Sequence, residues 1–277
     1  MRMLGLATAC FILASCENSW ISAGDIDADQ RAEAGTDADA DTDADADADP
    51  DPDPDEEEDE VDIGGGDAPV NVIPRAWSEP AVDGNLREWP PLRYRLDTND
   101  TDLRFGPDQR PSLEDVMVRF DLRWTSAGLY FAAQWQDDVA QADSPLVWQD
   151  DSIELYVDGD NNDDHPDYDE NDHQYTVVRD LRFGERGEIV DPTSYGIRYA
   201  VTLGEGANFA VELVVPWTLL AGSPVVGRIV GIDVALNDDD DGGEEDTHLI
   251  RWLAHEVTAL GSPVQDTTLF HDLTLGE

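Results

Sequence analysis

Three groups of residues have the types and spacing to do chemistry. Trp148 stands six residues before Glu154, in the run Trp148-Gln149-Asp150-Asp151-Ser152-Ile153-Glu154-Leu155-Tyr156-Val157-Asp158. An indole face packs against the C–H face of a pyranose while a carboxylate takes its hydroxyls, so the pair holds the parts of a sugar site. An indole placed where a loop enters a strand can equally plug a core. The second group is Asp158-Gly159-Asp160-Asn161-Asn162-Asp163-Asp164, followed by Asp167 and Asp169. Hard oxygen ligands in one loop suit calcium rather than zinc, and the candidate ligands are Asp158, Asp160, Asn162, Asp164 and Asp169. The loop is not an EF-hand: its sixth position is Asp163 instead of glycine, its twelfth is Asp169, and no helices flank it. A second acidic turn runs from Asp238 to Asp241 with Glu244, Glu245 and Asp246. Charge runs on turns are often simply solvated, but crowding this many carboxylates favours a bound cation. The third group is Leu13-Ala14-Ser15-Cys16, a bacterial lipobox pattern in which Cys16 would carry acyl chains after processing.

Much other chemistry is excluded. The chain carries 64 acidic and 16 basic side chains, a formal charge of −48, far too acidic to grip nucleic acid. Every basic residue is arginine, which removes Schiff-base lysines and a P-loop lysine. The only cysteines are Cys10 and Cys16, so no disulfide, thiolate metal site or catalytic cysteine is available further on. The five histidines form no HExxH pair, and no G-x-S-x-G is present. Among so many acids, paired carboxylates carry little information about glycoside hydrolysis. Haem ligation is poorly served, since lysine is missing and the single methionine after the N-terminal region, Met117, lies mid-strand. The chain reads as no enzyme.

The elements that must position these residues begin after a long preamble. Arg2 and the apolar stretch Met3 to Leu13 fit a signal peptide over 1–15, too short to span a bilayer. From 16 to 68 the lipidated cysteine leads a linker with aspartate at every second position from Asp37 to Asp55, filled by alanine and then by Pro50, Pro52 and Pro54. An all-aspartate strand face would repel itself, and alanine buries too little to offset chain entropy, so disorder is expected. Between 17 and 68, 22 acids stand against Arg31, and the repulsion should extend this spacer.

Residues 69–277 hold all but one of the tryptophans, with 14 arginines against 42 acids. Val116, Val118, Phe120, Leu122 and Trp124 alternate with Met117, Arg119, Asp121 and Arg123, the pattern of a half-buried strand. Thr125-Ser126-Ala127-Gly128 turns the chain into a second alternating run, Leu129, Phe131, Ala133 and Trp135. Further strands are expected at Ile153 to Val157, Gln174 to Val178, Tyr195 to Leu203, Phe209 to Val215, Ile229 to Leu236, His248 to Leu253 and Leu269 to Leu275. A helical period is sustained nowhere, with the turn after Pro216 the one place that hints at it. The fold class is therefore all-β, a two-sheet antiparallel β-sandwich. Alternation puts Ile153, Leu155 and Val157 toward the core and Glu154 and Tyr156 on the other face, which should be solvent or a cleft. Trp89, Trp217 and Trp252 read as packing residues.

Several of these segments come in a familiar order: Val82-Asp83-Gly84-Asn85-Leu86-Arg87-Glu88-Trp89, the pair Val118-Arg119-Phe120 and Leu129-Tyr130-Phe131, Trp148 to Asp158, Val211 to Trp217, and Gly231-Ile232-Asp233 to Asn237-Asp238. Together they resemble the family 9 carbohydrate-binding modules over essentially all of 75–277. The resemblance implies a stacking tryptophan at Trp148, a hydroxyl-binding glutamate at Glu154 and a polar contact at Asn237. Tyr175 and Asp240 complete the candidate set. Relatives carry a second stacking tryptophan about three residues after that asparagine; here the position is Asp240, so one face of a clamp is missing. The resemblance also implies structural calcium. The expected function is a non-catalytic glycan-binding lipoprotein, its module held off a bacterial envelope membrane, at the outer membrane or cell surface, with a plant-type or microbial polysaccharide end as partner. The alternatives are a structural or adhesive domain that has lost the sugar and, further off, a glycoside hydrolase accessory or a haem-binding sandwich.

Overall fold

A computed structural model of the chain describes residues 71–97, 100–102, 111–162, 168–240, 242, 248–253 and 266–277. The segment expected to be a signal peptide, Cys16, the acidic stretch and Asp164 lie outside the described residues.

Two sheets face each other. The smaller has the order β10 (Arg198–Leu203), β11 (Phe209–Pro216), β5 (Gly128–Asp137), β4 (Val116–Trp124) and β2 (Tyr94–Leu96). The larger runs β1 (Val72–Ile73), β14 (His271–Leu275), β12 (Ile229–Asp238), β6 (Ser152–Asp158), β7 (Asp172–Val178), β8 (Phe183–Glu185) and β9 (Glu188–Ile189). Here β13 (His248–Arg251) branches from the end of β12 and pairs also with β3 (Thr101–Asp102). Pairing is antiparallel throughout except between β1 and β14. The all-β sandwich stands.

The alternation read in β4 and β5 is the alternation observed. Val116, Val118, Phe120 and Leu122 are wholly buried in the interlayer with Leu129, Phe131, Ala133 and Trp135. From the other sheet, Ile153, Leu155, Val157, Ile232, Val234 and Leu236 meet them. Thr125 closes the hairpin, its Oγ1 accepting the Ala127 N–H at 3.0 Å. Two expected strands start later than read. Pro192–Tyr195 is a 3₁₀ turn capped by Asp191 and stopped by Gly196 at φ 77°, so β10 begins at Arg198. Thr267–Leu269 is likewise a 3₁₀ turn, capped by Asp266, ahead of β14. After Pro216 the chain makes successive turns, with Leu219 N–H donating to the Pro216 carbonyl and Leu220 N–H to that of Trp217. No helix among the described residues is long and apolar enough to cross a membrane.

The outer faces are not bare. On the small sheet, Trp89 packs on Tyr130, Ala132 and Val214 and donates its indole N–H to Glu212 at 2.8 Å. The same carboxylate accepts the N–H groups of Asp83 at 2.9 Å and Gly84 at 2.7 Å, pinning the Asp83-Gly84-Asn85 loop onto the sheet. Trp217, also buried, donates to the Thr125 carbonyl at 2.7 Å, and Trp252 stacks on His271 beside the core.

Candidate functional site

The register fixes which side chains share the outer face of the large sheet. Glu154 lies opposite Ala235 on β12 and Thr176 on β7, and Thr176 lies opposite Gly184 on β8. These four form a row across four strands. A second row holds Asp233, Tyr156 and Gln174, and a third holds Asn237, Ser152 and Val178. Glu154 and Asn237 are therefore neighbours on one face, as alternation from Ile153 and Leu236 requires.

That face is covered rather than open, which corrects the expectation of solvent or a cleft there: Glu154 is 2% exposed and Tyr156 0%. The Glu154 carboxylate accepts from Gln174 Nε2 at 3.1 Å, from Thr176 Oγ1 at 2.8 Å and from the Tyr156 hydroxyl. Three donors hold it in one orientation. Asn237 donates through Nδ2 to Ser152 Oγ at 3.0 Å. Arg251 on β13, opposite Ala235, pairs with Asp233 of the second row, both buried, and its guanidinium lies over the Tyr156 ring, 4.3 Å from the centroid. Burial pushes the Asp233 carboxyl up to about 7, with Arg251 opposing the rise.

Trp148 is delivered by the loop that leads into β6. Asp150 accepts from Ser144 N–H at 2.8 Å and pairs with Arg182, which also donates to the Ser144 carbonyl at 2.8 Å. Val147 sits where a side chain at position 184 would be: a Cβ on Gly184 would lie 2.6 Å from Val147 Cγ2. Glycine is needed there for the loop to approach the sheet. One residue on, the Trp148 indole reaches the β8–β9 turn, where a Cβ on Gly187 would lie 3.6 Å from its Cδ1 and Nε1. Trp148 is half-buried and lies against the β8–β9 turn of the large sheet.

Tyr175 does not join them. It is opposite Leu155, on the core side, wholly buried and stacked on His173 with centroids 5.2 Å apart. Asp240 lies beyond β12 among other acids, its carboxylate within 4.8 Å of those of Asp115 and Asp138.

In the described part of the proposed calcium loop some of the ligand groups are bonded within the loop. Asp158 Oδ1 accepts from Asn161 N–H at 2.6 Å, Asn162 Nδ2 donates to Asp169 at 2.8 Å, and Asp160 and Asp169 are exposed. Among the described residues, carboxylates converge elsewhere. Asp137, Asp151 and Asp238 are all buried and offer oxygens within 4.8 Å of one another. Their placement follows from the strands. Asp137 continues the core-facing row of Trp135, Asp238 that of Leu236, and Asp151 precedes Ile153 by two, so two strands end on an acid and a third is preceded by one at the same end of the interlayer. Asp151 accepts from Gln141 N–H at 2.7 Å and Asp239 N–H at 3.1 Å. By contrast, Asp137 Oδ2 and both oxygens of Asp238 have no hydrogen-bond partner. Burial above all pushes the carboxyls of Asp137, Asp151 and Asp238 up to about 6, 8 and 9, with Asp240 adding to the rise at Asp137, Asp137 to that at Asp151, and Asp137 and Asp240 to that at Asp238. Unpartnered buried carboxylate oxygens in an all-oxygen set fit a hard divalent cation. Parity with Trp135 and Leu236 was the sequence signal for this set; Thr176 and Gln174, which orient Glu154, had none.

Comparison with known proteins agrees with this architecture. The chain is 28% identical over 208 residues to an exoglucanase, XynX, of Acetivibrio thermocellus, a match covering 75% of this chain and 17% of that enzyme. It is 30% identical over 154 residues to endo-1,4-beta-xylanase A of Thermoanaerobacterium saccharolyticum, covering 56% of this chain and 12% of the enzyme. The chain thus spans less than a fifth of the length of either relative. A carbohydrate binding module family 9 from Caldicellulosiruptor kristjanssonii, solved in complex with cellotriose, shares the fold with a TM-score of 0.55 at 20% identity, covering 74% of this chain and 93% of that one. The same module in complex with glucose superposes with a TM-score of 0.56. Residues 101–277 match the carbohydrate family 9 binding domain-like profile, and the chain belongs to that family.

Proposed function

We propose that this domain binds carbohydrate without transforming it, on the outer face of its large sheet, with Trp148 as the stacking surface and Glu154 and Asn237 as hydroxyl contacts. The observation that carries the reading is the half-buried Trp148, set by a braced loop beside a face whose carboxylate is already oriented by Tyr156, Gln174 and Thr176. Orientation in advance lowers the entropy lost on binding. The solved relatives hold cellotriose and glucose, so the end of a glucan is the first ligand class to try. With Asp240 instead of a second tryptophan the site stacks on one side only, and the affinity expected is weak, about millimolar, or about −4 kcal/mol. Titration calorimetry with glucose, cellotriose and xylo-oligosaccharides tests this. Silence with all of them would favour the second reading, a structural or adhesive domain, which the near-complete burial of Glu154 supports.

We further propose that calcium sits among Asp137, Asp151 and Asp238 and ties the two sheets at that end of the sandwich. Loaded there, it would neutralise charge that otherwise keeps the carboxyls protonated. The domain is read as the outer part of a lipoprotein, with Cys16 acylated and 17–68 as the spacer from an envelope membrane. Intact-mass analysis of protein from a native-like bacterium tests that placement; an unacylated Cys16 would remove the anchor.

A further inference from the structure

Trp89 covers one end of the outer face of the small sheet and leaves the other end open. There the register sets Arg95, Arg119, Gln134, Ala210 and Thr202 in one row across the five strands, with Met117 and Gln136 in the next. Val118 and Trp135, between these rows, are wholly buried in the core, so the rows face outward. Two cavities of about 380 and 300 Å³ lie along them and share Gln134. The first is lined by Arg87 and Thr202, the second by Arg119, Gln136 and Asn208. One wall is the loop that carries Gly84 and Arg87, and it is already fixed: Glu212 accepts the Gly84 N–H, and a Cβ on Gly84 would lie 2.3 Å from Thr202 Oγ1. From Arg119 to Thr202 the resulting groove crosses three strand spacings, about 14 Å, which suits a chain of sugars rather than one ring.

The charge of this groove runs against that of the chain. Residues 69–277 hold 42 acids to 14 arginines, whereas the two cavities are lined by two arginines and a single acid, Glu205. The acids of the Gly84 loop, Asp83 and Glu88, gather with Glu212 and line neither cavity. On the same sheet Arg93 and Arg123 pair with Asp121, and Arg95 with Asp97. Arg119 and Arg87 form no ion pair among the described residues. Arg119 is half-buried and stands opposite Arg95, and like charges facing each other across a strand pair destabilise it unless an anion joins them. The remaining polar lining is amide and hydroxyl, from Gln134, Gln136, Asn208 and Thr202, which suits sugar hydroxyls. Asn208 Oδ1 accepts the Asp137 N–H at 3.3 Å, leaving its amide N–H groups to donate. The groove offers no stacking face, because Trp135, its one aromatic lining residue, is wholly buried. A neutral sugar gains little there, while a guanidinium fork takes an oxyanion through two hydrogen bonds. We propose that this groove is a second glycan site, selective for acidic polysaccharides, with Arg119 and Arg87 on the anionic groups and Gln134 on the hydroxyls between them. It uses no residue of the site at Trp148.

Titration calorimetry of the full chain, equilibrated with calcium and desalted into about 0.15 M salt, tests this. At that ionic strength the general repulsion of the chain is screened beyond about 8 Å. The probes are an oligoglucuronate, a sulfated dextran oligomer, cellotriose and polyglutamate. One or both of the acidic glycans should bind saturably, and the tighter of the two names the anionic group, carboxylate or sulfate. Arg119→Gln and, separately, Arg87→Gln should weaken that binding at least about tenfold, the loss of one charge-assisted contact, and leave cellotriose binding and the urea midpoint as in wild type. Arg119→Lys, which keeps the charge and loses the fork, should recover part of the loss. Silence with both acidic glycans, or equal affinity in wild type and the arginine variants, would overturn the groove and leave the Trp148 site standing. An acidic glycan lost in Trp148→Ala but kept in both arginine variants belongs to the Trp148 site and would overturn it too. Polyglutamate held as tightly as the acidic glycans would overturn the selectivity for sugar and mean an acidic protein partner instead.

Discussion

Asp238→Asn in the cation-free protein should reverse the usual effect of deleting a buried charge. With no cation, the Asp238 carboxyl titrates at about 9 in the folded protein against 3.8 in the unfolded chain, raised by burial and then by Asp137, Asp240, Asp115 and Asp151. A folded-state pKa above the unfolded one means that the native state binds the extra proton. Stability is then fully present below about pH 4 and declines as pH rises toward 9. Between the unfolded pKa and pH 7 lie about three pH units, so at about 1.36 kcal/mol per unit this residue alone removes on the order of 4 kcal/mol by neutral pH. Asp151, titrating at about 8, adds loss in the same direction, although the two share their repulsion and do not sum. Such a loss is a large part of the 5–15 kcal/mol that stabilises a typical domain. Calcium at a hundredfold excess over its Kd would return about 2.7 kcal/mol, and more at higher pH, where no proton competes. The assay is urea unfolding of resin-stripped protein at pH 5 and pH 8, with and without calcium. Wild type should lose midpoint steeply from pH 5 to 8 without calcium and little with it. Asp238→Asn should be flatter without calcium, more stable than wild type at pH 8, and indifferent to the ion. Asp233, raised to about 7, titrates in all samples alike and cancels. A wild-type pH slope equal to that of Asp238→Asn would mean that Asp238 does not carry the pH dependence.

Other expectations are simpler to check. Trp148→Ala should abolish sugar binding in calorimetry while lowering stability by less than the ~3–5 kcal/mol of a core tryptophan, because the indole is only half-buried. Tyr175→Phe should leave sugar affinity unchanged and stability near wild type, since the hydroxyl is buried without a partner. Glu212→Ala strands three N–H donors, from Asp83, Gly84 and Trp89, and should cost at least about 3 kcal/mol in urea unfolding without touching sugar binding.

The sheets were legible where strands are long and one face is polar. In β4, Arg119 and Arg123 mark the outer side of a nine-residue strand, so the period is unmistakable. The strands β1, β2, β3, β8 and β9 have two or three residues each and carry no readable period. The place of Tyr175 is legible in β7, where Gln174 and Thr176 take the outer face and Tyr175 and Val177 the core face, although both faces are buried. The placement of Glu154 on the outer face followed from Ile153 and Leu155, but its burial did not. That depends on Tyr156, two residues on in the same strand, and on Gln174 and Thr176 meeting it from β7, 20 and 22 residues away in the chain. The cation set was hidden for the same cause. Asp137, Asp151 and Asp238 look like three separate strand-end acids until the two sheets bring their core-facing ends together.

The proposed sugar site has Trp148 as its stacking face, with Glu154 and Asn237 beside it. Nuclear magnetic resonance of the indole N–H groups during a cellotriose titration tests it most directly, with the Trp148 signal assigned by its loss in Trp148→Phe. This one indole signal should move progressively and saturate at millimolar sugar, while the buried indoles of Trp89, Trp124, Trp135 and Trp217 stay in place. Saturable movement of any other indole with Trp148 unmoved would put the sugar elsewhere, and no movement at any concentration would contradict carbohydrate binding at this face.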